Sequence, residues 1–139
     1  MSDYVQIYDS TLRDGSQAED IAFSLDDKLL ITQRLDELGV DYVEGGWPNP
    51  TNPKDLEYFV RAAKLDLKNV KIAAFGSTRR ANNPPKDDAT LNTLLKAGTD
   101  TVCIFGKSWT LHVEAVLKTP PEDNLQLIED SVAYLKEKG

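Results

Sequence analysis

The amino-acid sequence predicts an α/β fold with a parallel β-sheet. Four short runs of apolar, β-favouring residues recur along the chain, and after the first run they begin about 30 residues apart. A polar loop rich in glycine or proline follows each run, and a segment with helical spacing of its apolar residues follows the loop. Strands that alternate with helices at this distance form βαβ units with parallel strands. The predicted strands are residues 4–8, 41–44, 70–75 and 101–105.

The first predicted helix has signals at both ends. Ser24 precedes an acidic turn, so its hydroxyl can cap the helix, and Asp27 can return the hydrogen bond as in a capping box. Gly39 predicts the C-terminal end, because glycine readily adopts the left-handed conformation that ends many helices. The predicted apolar face consists of Leu25, Leu29, Leu35 and Leu38.

Proline marks the start of the other three predicted helices, in a first turn where no backbone N–H is needed. The pairs are Asn52-Pro53, Pro84-Pro85 and Pro120-Pro121, and Gly98 is expected to end the third helix. The predicted buried stripes are Leu56, Phe59, Val60 and Ala63 in the second helix, Leu91, Leu94 and Leu95 in the third, and Leu125, Ile128, Val132 and Leu135 in the fourth.

The composition argues against some classes of function. The 139 residues carry a formal net charge of -7, whereas nucleic-acid phosphates are bound by clustered lysine and arginine. No segment approaches the ~18 consecutive apolar residues that span a bilayer, and the first residues lead into a strand rather than a secretory signal. We therefore expect a cytoplasmic protein with no nucleic-acid or membrane partner. Cys103, the only cysteine, lies in an apolar run and indicates core packing.

Four βα units are half of a (β/α)8 barrel, which takes roughly 250 residues. A short repeat, apolar-Gly-x-Asp-x-Val at residues 38–43 and 97–102, supports a repeated unit. The alternative is an independent flavodoxin-like sheet, but that fold normally has a fifth strand and a phosphate-binding first loop. We therefore expect residues 1–139 to form the N-terminal (βα)4 half of a TIM barrel. The residues expected to face the barrel interior are Ile7, Val43, Ile72, Ala74, Cys103 and Phe105.

The strongest local signal is the segment that follows the first strand, Asp9 to Gln17. The C-terminal ends of barrel strands face the active site, so Arg13, Asp14 and Gln17 are expected to reach one cleft. The Asp14 carboxylate suits a hard divalent cation, and the planar guanidinium of Arg13 suits a carboxylate or a developing enolate oxygen. Gly15 is expected to allow a sharp turn beside them. Taken alone, Arg-Asp-Gly fits a surface ion pair equally well.

Glu44 lies at the end of the second predicted strand, after the apolar Tyr42 and Val43. A buried carboxylate costs free energy unless it is paired, and the predicted partner is Arg13 at the neighbouring strand end. We interpret Glu44 as the group that orients Arg13, with direct proton transfer as the alternative.

These motifs resemble the DRE-TIM metallolyase (HMGL-like) superfamily, which includes 2-isopropylmalate, homocitrate and citramalate synthases and 3-hydroxy-3-methylglutaryl-CoA lyase. The resemblance is carried by residues 11–15 with Gln17 and by residues 44–48. The Asp, Arg and Glu of the superfamily's name correspond to Asp14, Arg13 and Glu44. The segment 75–80 resembles the citramalate synthase branch most.

The resemblance implies an acyltransferase that condenses acetyl-CoA with a 2-oxo acid in the biosynthesis of branched-chain amino acids. Pyruvate is the expected 2-oxo acid. It implies a divalent metal (magnesium or manganese, with zinc as an alternative) held partly by Asp14, and Arg13 near the ketone oxygen. Gln17 would line the substrate side, or brace its loop. The family's other metal ligands, a His-x-His pair followed by an Asn, are absent from this sequence.

Two further residues are candidates for substrate binding. Arg79, next to Arg80, follows the third strand and could contact a substrate carboxylate or a CoA phosphate. His112, the only histidine, follows the fourth strand and could contact substrate or CoA. For each, a solvated surface position is the alternative.

We expect a homodimer. The alternative functions are a metal-dependent acyl-CoA lyase of the same superfamily and a half-barrel that is inactive alone.

Overall fold

A computed structural model of the chain describes residues 4–49, 51 and 53–139. The strands within these residues are β1 (Tyr8–Asp9), β2 (Tyr42–Gly46), β3 (Lys71–Ser77) and β4 (Thr101–Phe105). The helices are α1 (Leu25–Leu38), α2 (Pro53–Ala62), α3 (Ala89–Lys96), α4 (Thr110–His112) and α5 (Pro121–Glu137). Short 3-10 turns occupy Gly15–Gln17 and Pro85–Asp87, and a π-helical turn, Val113–Leu117, follows α4.

The strands form one parallel sheet in the order β1-β2-β3-β4. A doubly wound sheet of the flavodoxin type reverses direction, with strand order 2-1-3-4-5. The described strands show no such reversal, because each one pairs with the next along the chain. The fold is therefore the predicted (βα)4 half of a barrel rather than an independent doubly wound sheet.

Three glycines show which face of the sheet meets the helices. A Cβ atom at Gly45 would lie 2.3 Å from Tyr58 of α2, and one at Gly76 would lie 2.8 Å from Leu94 of α3. A Cβ atom at Gly106 would lie 2.9 Å from α5. No side chain fits at such distances. The helices can pack this close to the sheet only because glycine stands at these positions near the strand ends. The face that they cover is the outer face of the half-barrel.

The residues that precede the glycines occupy the opposite, concave face, because side chains alternate along a strand. They are Glu44, Phe75 and Phe105. By the same alternation Cys103 is also concave, so it and Phe105 lie inside the half-barrel as predicted.

The prediction was wrong for three other residues of the inner set, which pack against the helices: Val43, Ile72 and Ala74. Val43 and Ala74 are fully buried there. Ile7 precedes β1 and is exposed. The error has a simple cause, since neighbours such as Val43 and Glu44 cannot face the same side of a strand.

The first strand is shorter than predicted. Only Tyr8 and Asp9 pair with β2, whereas residues 4–7 are attached to the start of β2 by the Asp41 side chain. The Tyr4 hydroxyl and the Ile7 backbone N–H both donate hydrogen bonds to the Asp41 carboxylate.

The first helix has the predicted ends. Ser24 and Asp27 form both hydrogen bonds of a capping box, and Gly39 takes the left-handed conformation with φ of 83°. Gly98, the equivalent residue of the short sequence repeat, has φ of 67°. Leu38 was wrongly assigned to the buried face, because it is 78% exposed.

The second and fifth helices bury only part of the predicted stripes: Phe59 of α2 and Leu135 of α5 are buried as predicted. α2 begins at Pro53, while Asn52 lies outside the described residues. Its buried residues include Tyr58, Phe59 and Ala62, whereas Val60 and Ala63 are exposed. α5 buries Asn124, Leu127, Ser131 and Leu135, whereas Leu125 and Val132 are exposed. Each of these four exposed residues is one position from a buried one, a rotation of about 100° around a helix.

The third helix begins later than predicted. Pro85 opens a separate 3-10 turn, and α3 starts at Ala89. Asp88 decides this boundary, because its buried carboxylate accepts hydrogen bonds from the backbone N–H groups of Thr90 and Leu91. An aspartate in this position is a strong helix N-cap.

No helix among the residues that the structure describes is long and apolar enough to cross a membrane.

Asp36 joins α1 to the segment before β3. Its buried carboxylate accepts hydrogen bonds from the backbone N–H groups of Lys68, Asn69 and Val70, at 2.7–3.1 Å. Burial raises the pKa of Asp36, but the three N–H donors outweigh burial and leave it below its ordinary value. The ionised carboxylate therefore holds the chain where it enters the third strand.

We predict that Asp36→Ala lowers the free energy of unfolding by about 2–4 kcal/mol, because three N–H groups lose a charged acceptor and that of Val70 is buried. Glu37→Gln is the control, because the exposed Glu37 pairs only with Arg34 and surface pairs contribute less than about 1 kcal/mol. A depressed pKa also means that the Asp36 contribution is complete above the unfolded-state pKa of about 3.9 and is lost as the pH falls through the lower, folded-state pKa. Urea unfolding of both variants at several pH values measures this, and equal effects would contradict it.

We also predict that the 139-residue chain self-associates when it is produced alone. β1 and β4 are the edges of the described sheet, and the concave Tyr8 and Phe105 are 42% and 41% exposed. Each 100 Å² of apolar surface that becomes buried stabilises a contact by about 2.5 kcal/mol, and unpaired strand edges favour association. Light scattering over a concentration series should show masses above the monomer. A monomer at every concentration would contradict the prediction.

Candidate active site

The loop after β1 is a tight turn that points Arg13 at the neighbouring strand. The Asp9 carboxylate accepts hydrogen bonds from the backbone and hydroxyl of Thr11, both at 3.0 Å. The Ser10 carbonyl accepts the backbone N–H groups of residues 13–15 at 2.8–3.2 Å. Leu12 is fully buried in the hydrophobic core and anchors the turn.

Gly15 is not required by this turn, contrary to expectation. A Cβ atom there would lie 3.7 Å from the Thr11 side chain, an ordinary contact. The hydrogen bonds from Ser10 and the burial of Leu12 therefore shape the loop.

The predicted contact between Arg13 and Glu44 is present. Arg13 Nε donates to Glu44 Oε2 at 2.6 Å, and the Glu44 residue is 1% exposed. The second oxygen, Oε1, accepts a hydrogen bond from the Tyr8 hydroxyl at 2.9 Å. Both oxygens of this buried carboxylate are therefore engaged, which favours the orienting role of Glu44 over proton transfer.

The rest of the Arg13 guanidinium is held by Asp14 and Phe75. Nη1 donates to Asp14 Oδ1 at 2.6 Å, and Cζ lies 4.0 Å from the centre of the Phe75 ring, a cation–π arrangement. Within the described part of the chain, Nη2 makes no hydrogen bond. The guanidinium is thus fixed in plane and direction, with its Nη2 edge left to bind another group.

Aromatic rings continue the site across the concave face. Phe75 stacks on Phe105 with ring centres 6.2 Å apart, and the Trp47 ring meets Phe75 edge-on at 5.3 Å. Trp47, Phe75 and Phe105 form an aromatic wall, and Phe75, which lies against the guanidinium, shields one side of Arg13 from water. Electrostatic interactions at the guanidinium are stronger where water is excluded.

The sequence interpretation did not include Tyr8 and Phe75 in the site. A signal for Tyr8 was available, because strand alternation puts Tyr42 on the same face as Glu44, and Tyr8 pairs with Tyr42. Phe75 could have been found in the same way, as the residue that shares the Glu44 face at the end of the next strand.

A buried ion pair behind β2 holds the loop that carries Trp47. Lys28 donates to the Gly45 carbonyl at 3.1 Å and to Asp55 Oδ1 at 2.8 Å. Asp55 Oδ2 accepts the Trp47 backbone N–H at 3.2 Å. Gly46 has φ of 154°, and a Cβ atom there would lie 2.9 Å from the Asp55 carboxyl carbon. Charge pairing and close contact therefore fix this loop from outside the sheet.

Gln17 and His112 lie at the same end of the sheet, and within the described residues neither side chain makes a hydrogen bond to Arg13, Asp14 or Glu44. Gln17 is exposed at the end of the turn that follows Asp14. The His112 ring packs edge-on against Trp109 at 4.6 Å, after β4.

Arg79 lies elsewhere and is already engaged. Its guanidinium pairs with Asp130 of α5 at 2.6 Å and donates to the carbonyls of Arg80, Ala81 and Asn83. Hydrogen bonds from Gln126 and Arg79 hold the pKa of Asp130 below its ordinary value. The geometry therefore assigns Arg79 to a link between the β3 loop and α5, not to substrate.

Asp14 fits a divalent cation as a single oxygen ligand. Its side chain is 63% exposed, and Oδ1 is shared with Arg13. Within residues 4–49, 51 and 53–139, no group of three or more His, Cys, Asp or Glu side chains is placed to hold a metal ion. A full coordination shell would therefore need ligands beyond this cluster.

Comparison with known proteins identifies the family of this chain. A profile of the HMGL-like family matches residues 4–139. The chain belongs to the HMGL-like family.

Its similarity to individual HMGL-like proteins extends over nearly the whole chain. (R)-citramalate synthase from Aquifex aeolicus is 53% identical over 98% of this chain, which corresponds to 26% of that protein. Homocitrate synthase AksA from Methanothermobacter thermautotrophicus is 31% identical over 99% of this chain and 32% of that protein. The chain thus spans about a quarter of the length of the citramalate synthases that it matches.

A solved HMG-CoA lyase from Bacillus subtilis has the same fold. It superposes with a TM-score of 0.71 and 19% identity, over 96% of this chain and 43% of that one. The HMGL-like chain therefore covers less than half of that structure, as expected for half of a barrel.

We predict that Asp55→Ala in this HMGL-like chain costs about 3–5 kcal/mol of stability, because it leaves the Lys28 ammonium buried without its partner. Adding Lys28→Met should recover part of the loss. Asp26→Ala is the control, since Asp26 pairs with Arg61 at the surface and should cost less than about 1 kcal/mol. Urea unfolding of these variants measures the difference. Equal effects of Asp55→Ala and Asp26→Ala would contradict a buried ion pair.

Proposed function

We propose that residues 1–139 are the N-terminal half of the catalytic barrel of an acyltransferase that joins acetyl-CoA to a 2-oxo acid. Pyruvate is the proposed 2-oxo acid and citramalate the product. The observation that carries the proposal is the Arg13 guanidinium, which is held by Glu44 and Asp14 and whose Nη2 makes no hydrogen bond to any residue that the structure describes. The 53% identity to (R)-citramalate synthase, against 31% to homocitrate synthase, supports the choice of pyruvate.

Arg13 is the proposed electrostatic group of the reaction. The methyl carbon of acetyl-CoA loses a proton to a base and attacks the ketone carbon of pyruvate, so negative charge develops on the ketone oxygen. The Nη2 edge of Arg13 is suited to donate hydrogen bonds to that oxygen. Because Glu44 and Phe75 already hold the guanidinium, little reorganisation is needed as the charge forms. The alkoxide takes up a proton, and water then cleaves the thioester, which releases the CoA thiol and the hydroxy diacid.

Asp14 is the proposed metal ligand contributed by this chain, for magnesium or manganese, with zinc as the alternative. When bound, such a cation would supply Lewis-acid polarisation of the 2-oxo acid. The Asp14 carboxylate also accepts a hydrogen bond from Arg13 Nη1. Because Asp14 would contact both groups, it would set the distance between the Arg13 guanidinium and the cation.

Arg80 replaces Arg79 as the proposed contact to the anionic parts of the acyl-CoA. It is exposed and lines a cleft of about 350 Å³ together with Trp47, Pro48 and Ser77, between the loops after β2 and β3. We retain Gln17 and His112 as proposed substrate contacts, since both are exposed at the strand ends where the site lies.

The complete protein is proposed to act in the cytoplasm as a homodimer, in the biosynthesis of branched-chain amino acids. An acyl-CoA lyase of the same family is the alternative enzyme, and it would release acetyl-CoA from a hydroxyacyl-CoA instead of consuming it. Appearance of a CoA thiol when the complete protein is mixed with acetyl-CoA, pyruvate and Mn²⁺ distinguishes the two. Thiol release with other 2-oxo acids but not with pyruvate would contradict the proposed substrate.

We predict that Asp14→Ala in the complete enzyme abolishes thiol release and weakens Mn²⁺ binding, because an oxygen ligand is lost. The fold should be unchanged, since the Asp14 side chain is mostly exposed. Glu19→Ala removes another exposed carboxylate from the same loop and should keep full activity. Thiol release and calorimetric titration with Mn²⁺ measure both effects. Normal turnover of Asp14→Ala at saturating Mn²⁺ would exclude Asp14 as a ligand.

A further inference from the structure

The Tyr8 hydroxyl is the second donor to the buried Glu44 carboxylate. It donates to Oε1 at 2.9 Å, while Arg13 Nε donates to Oε2 at 2.6 Å. Tyr8 lies on β1 and Arg13 in the loop that follows it. Two consecutive parts of the chain therefore donate hydrogen bonds to the two oxygens of Glu44 on β2. Glu44 is 1% exposed, and water therefore has little access to replace either donor.

This geometry makes the direction of Arg13 depend on Tyr8. A carboxylate with one fixed oxygen can still rotate about its terminal bond, whereas a carboxylate with both oxygens bonded has one orientation. The position of Oε2 fixes the direction of the Arg13 Nε–H bond. Because the guanidinium is planar, the direction of Nε–H also fixes the position of Nη2. Loss of the Tyr8 hydrogen bond would therefore be transmitted to the edge that is free to bind substrate.

The hydroxyl is suited to remain a donor. Burial raises the pKa of Tyr8, and the neighbouring Cys103 thiol and Glu44 carboxylate raise it further. The phenol is therefore protonated at neutral pH and can donate.

We propose that Tyr8 is a positioning residue for the proposed condensation, which acts through Glu44 to hold the Arg13 guanidinium in its productive direction. This role rests on the proposed function, because it concerns how the guanidinium meets the ketone oxygen. It is separate from packing, because the Tyr8 ring stacks on the Tyr42 ring at 6.0 Å whether or not the hydroxyl is present.

Tyr42 provides a matched control. It lies beside Tyr8 on the concave face, in direct register across the sheet. Its hydroxyl makes no hydrogen bond among the residues for which the structure gives positions. Tyr42→Phe thus removes the same atom from the same environment without touching Glu44.

The test compares Tyr8→Phe and Tyr42→Phe in the complete enzyme, by thiol release from acetyl-CoA and pyruvate. Tyr8→Phe should lower kcat about 10- to 100-fold, because a small misplacement of a catalytic group has effects of this size. The KM for acetyl-CoA should change less than about twofold, as for an interaction that matters in the transition state. Tyr42→Phe should leave both constants unchanged. Equal effects of the two substitutions would overturn the proposal.

A double-mutant cycle tests whether Tyr8 acts through Glu44. In a Glu44→Gln background, Tyr8→Phe should lower kcat by no more than about twofold, because the group through which it acts is already altered. An undiminished effect of Tyr8→Phe in that background would mean that the hydroxyl acts on something else, and the proposed route would be wrong.

Crystal structures of the wild type and of Tyr8→Phe separate this inference from the proposed function. We expect the Arg13 guanidinium in Tyr8→Phe to turn away from Glu44 or to adopt a second conformation. If the wild type releases no thiol but Arg13 moves in this way, the condensation is wrong and the positioning of Arg13 by Tyr8 stands. If Arg13 keeps its place and the kinetics are unchanged, the Tyr8 inference is wrong whatever the reaction.

Discussion

The hydrogen-bonded ion pair between Arg13 and Glu44 connects the loop after β1 to the sheet. A carboxylate that is 1% exposed is stable only if its oxygens are paired, so the buried end of β2 requires donors from a neighbouring segment. Arg13 and Tyr8 meet that requirement from β1 and its loop. The cost of burying one charge thus becomes a constraint on where the loop and its free guanidinium edge lie.

The same logic of a buried charge fixed by partners recurs on the outer face, where Lys28 and Asp55 hold the start of the loop that carries Trp47. Trp47 packs on Phe75, and Phe75 lies under Arg13. The guanidinium is therefore supported from inside by Glu44 and from outside, through two aromatic rings, by an ion pair behind the sheet. The position of the Arg13 guanidinium thus depends on contacts outside its own loop.

The fold was largely predictable because its signals are local. Capping residues, prolines and left-handed glycines such as Gly39 act on their own neighbours, so they can be recognised without the tertiary structure. The contact of Arg13 with Glu44 was also predictable, from strand order and the cost of a buried charge. The engagement of Arg79 by Asp130 was not, since it depends on how α5 packs some 50 residues later in the chain. The face on which Val43 lies was predictable in principle, because the adjacent Glu44 was expected to meet Arg13 and neighbouring side chains of a strand point to opposite faces.

The sequential order of the strands has a consequence for how the chain acquires its structure. Each strand pairs with the one that precedes it in the sequence, and the paired residues are about 30 positions apart, as for Val43 and Ile72. Each of the strands β2 to β4 therefore leaves the ribosome after the preceding strand, with which it pairs, has been synthesised. The half-barrel can assemble vectorially, one unit at a time, with Glu44 meeting Arg13 and Tyr8 as soon as the second strand emerges.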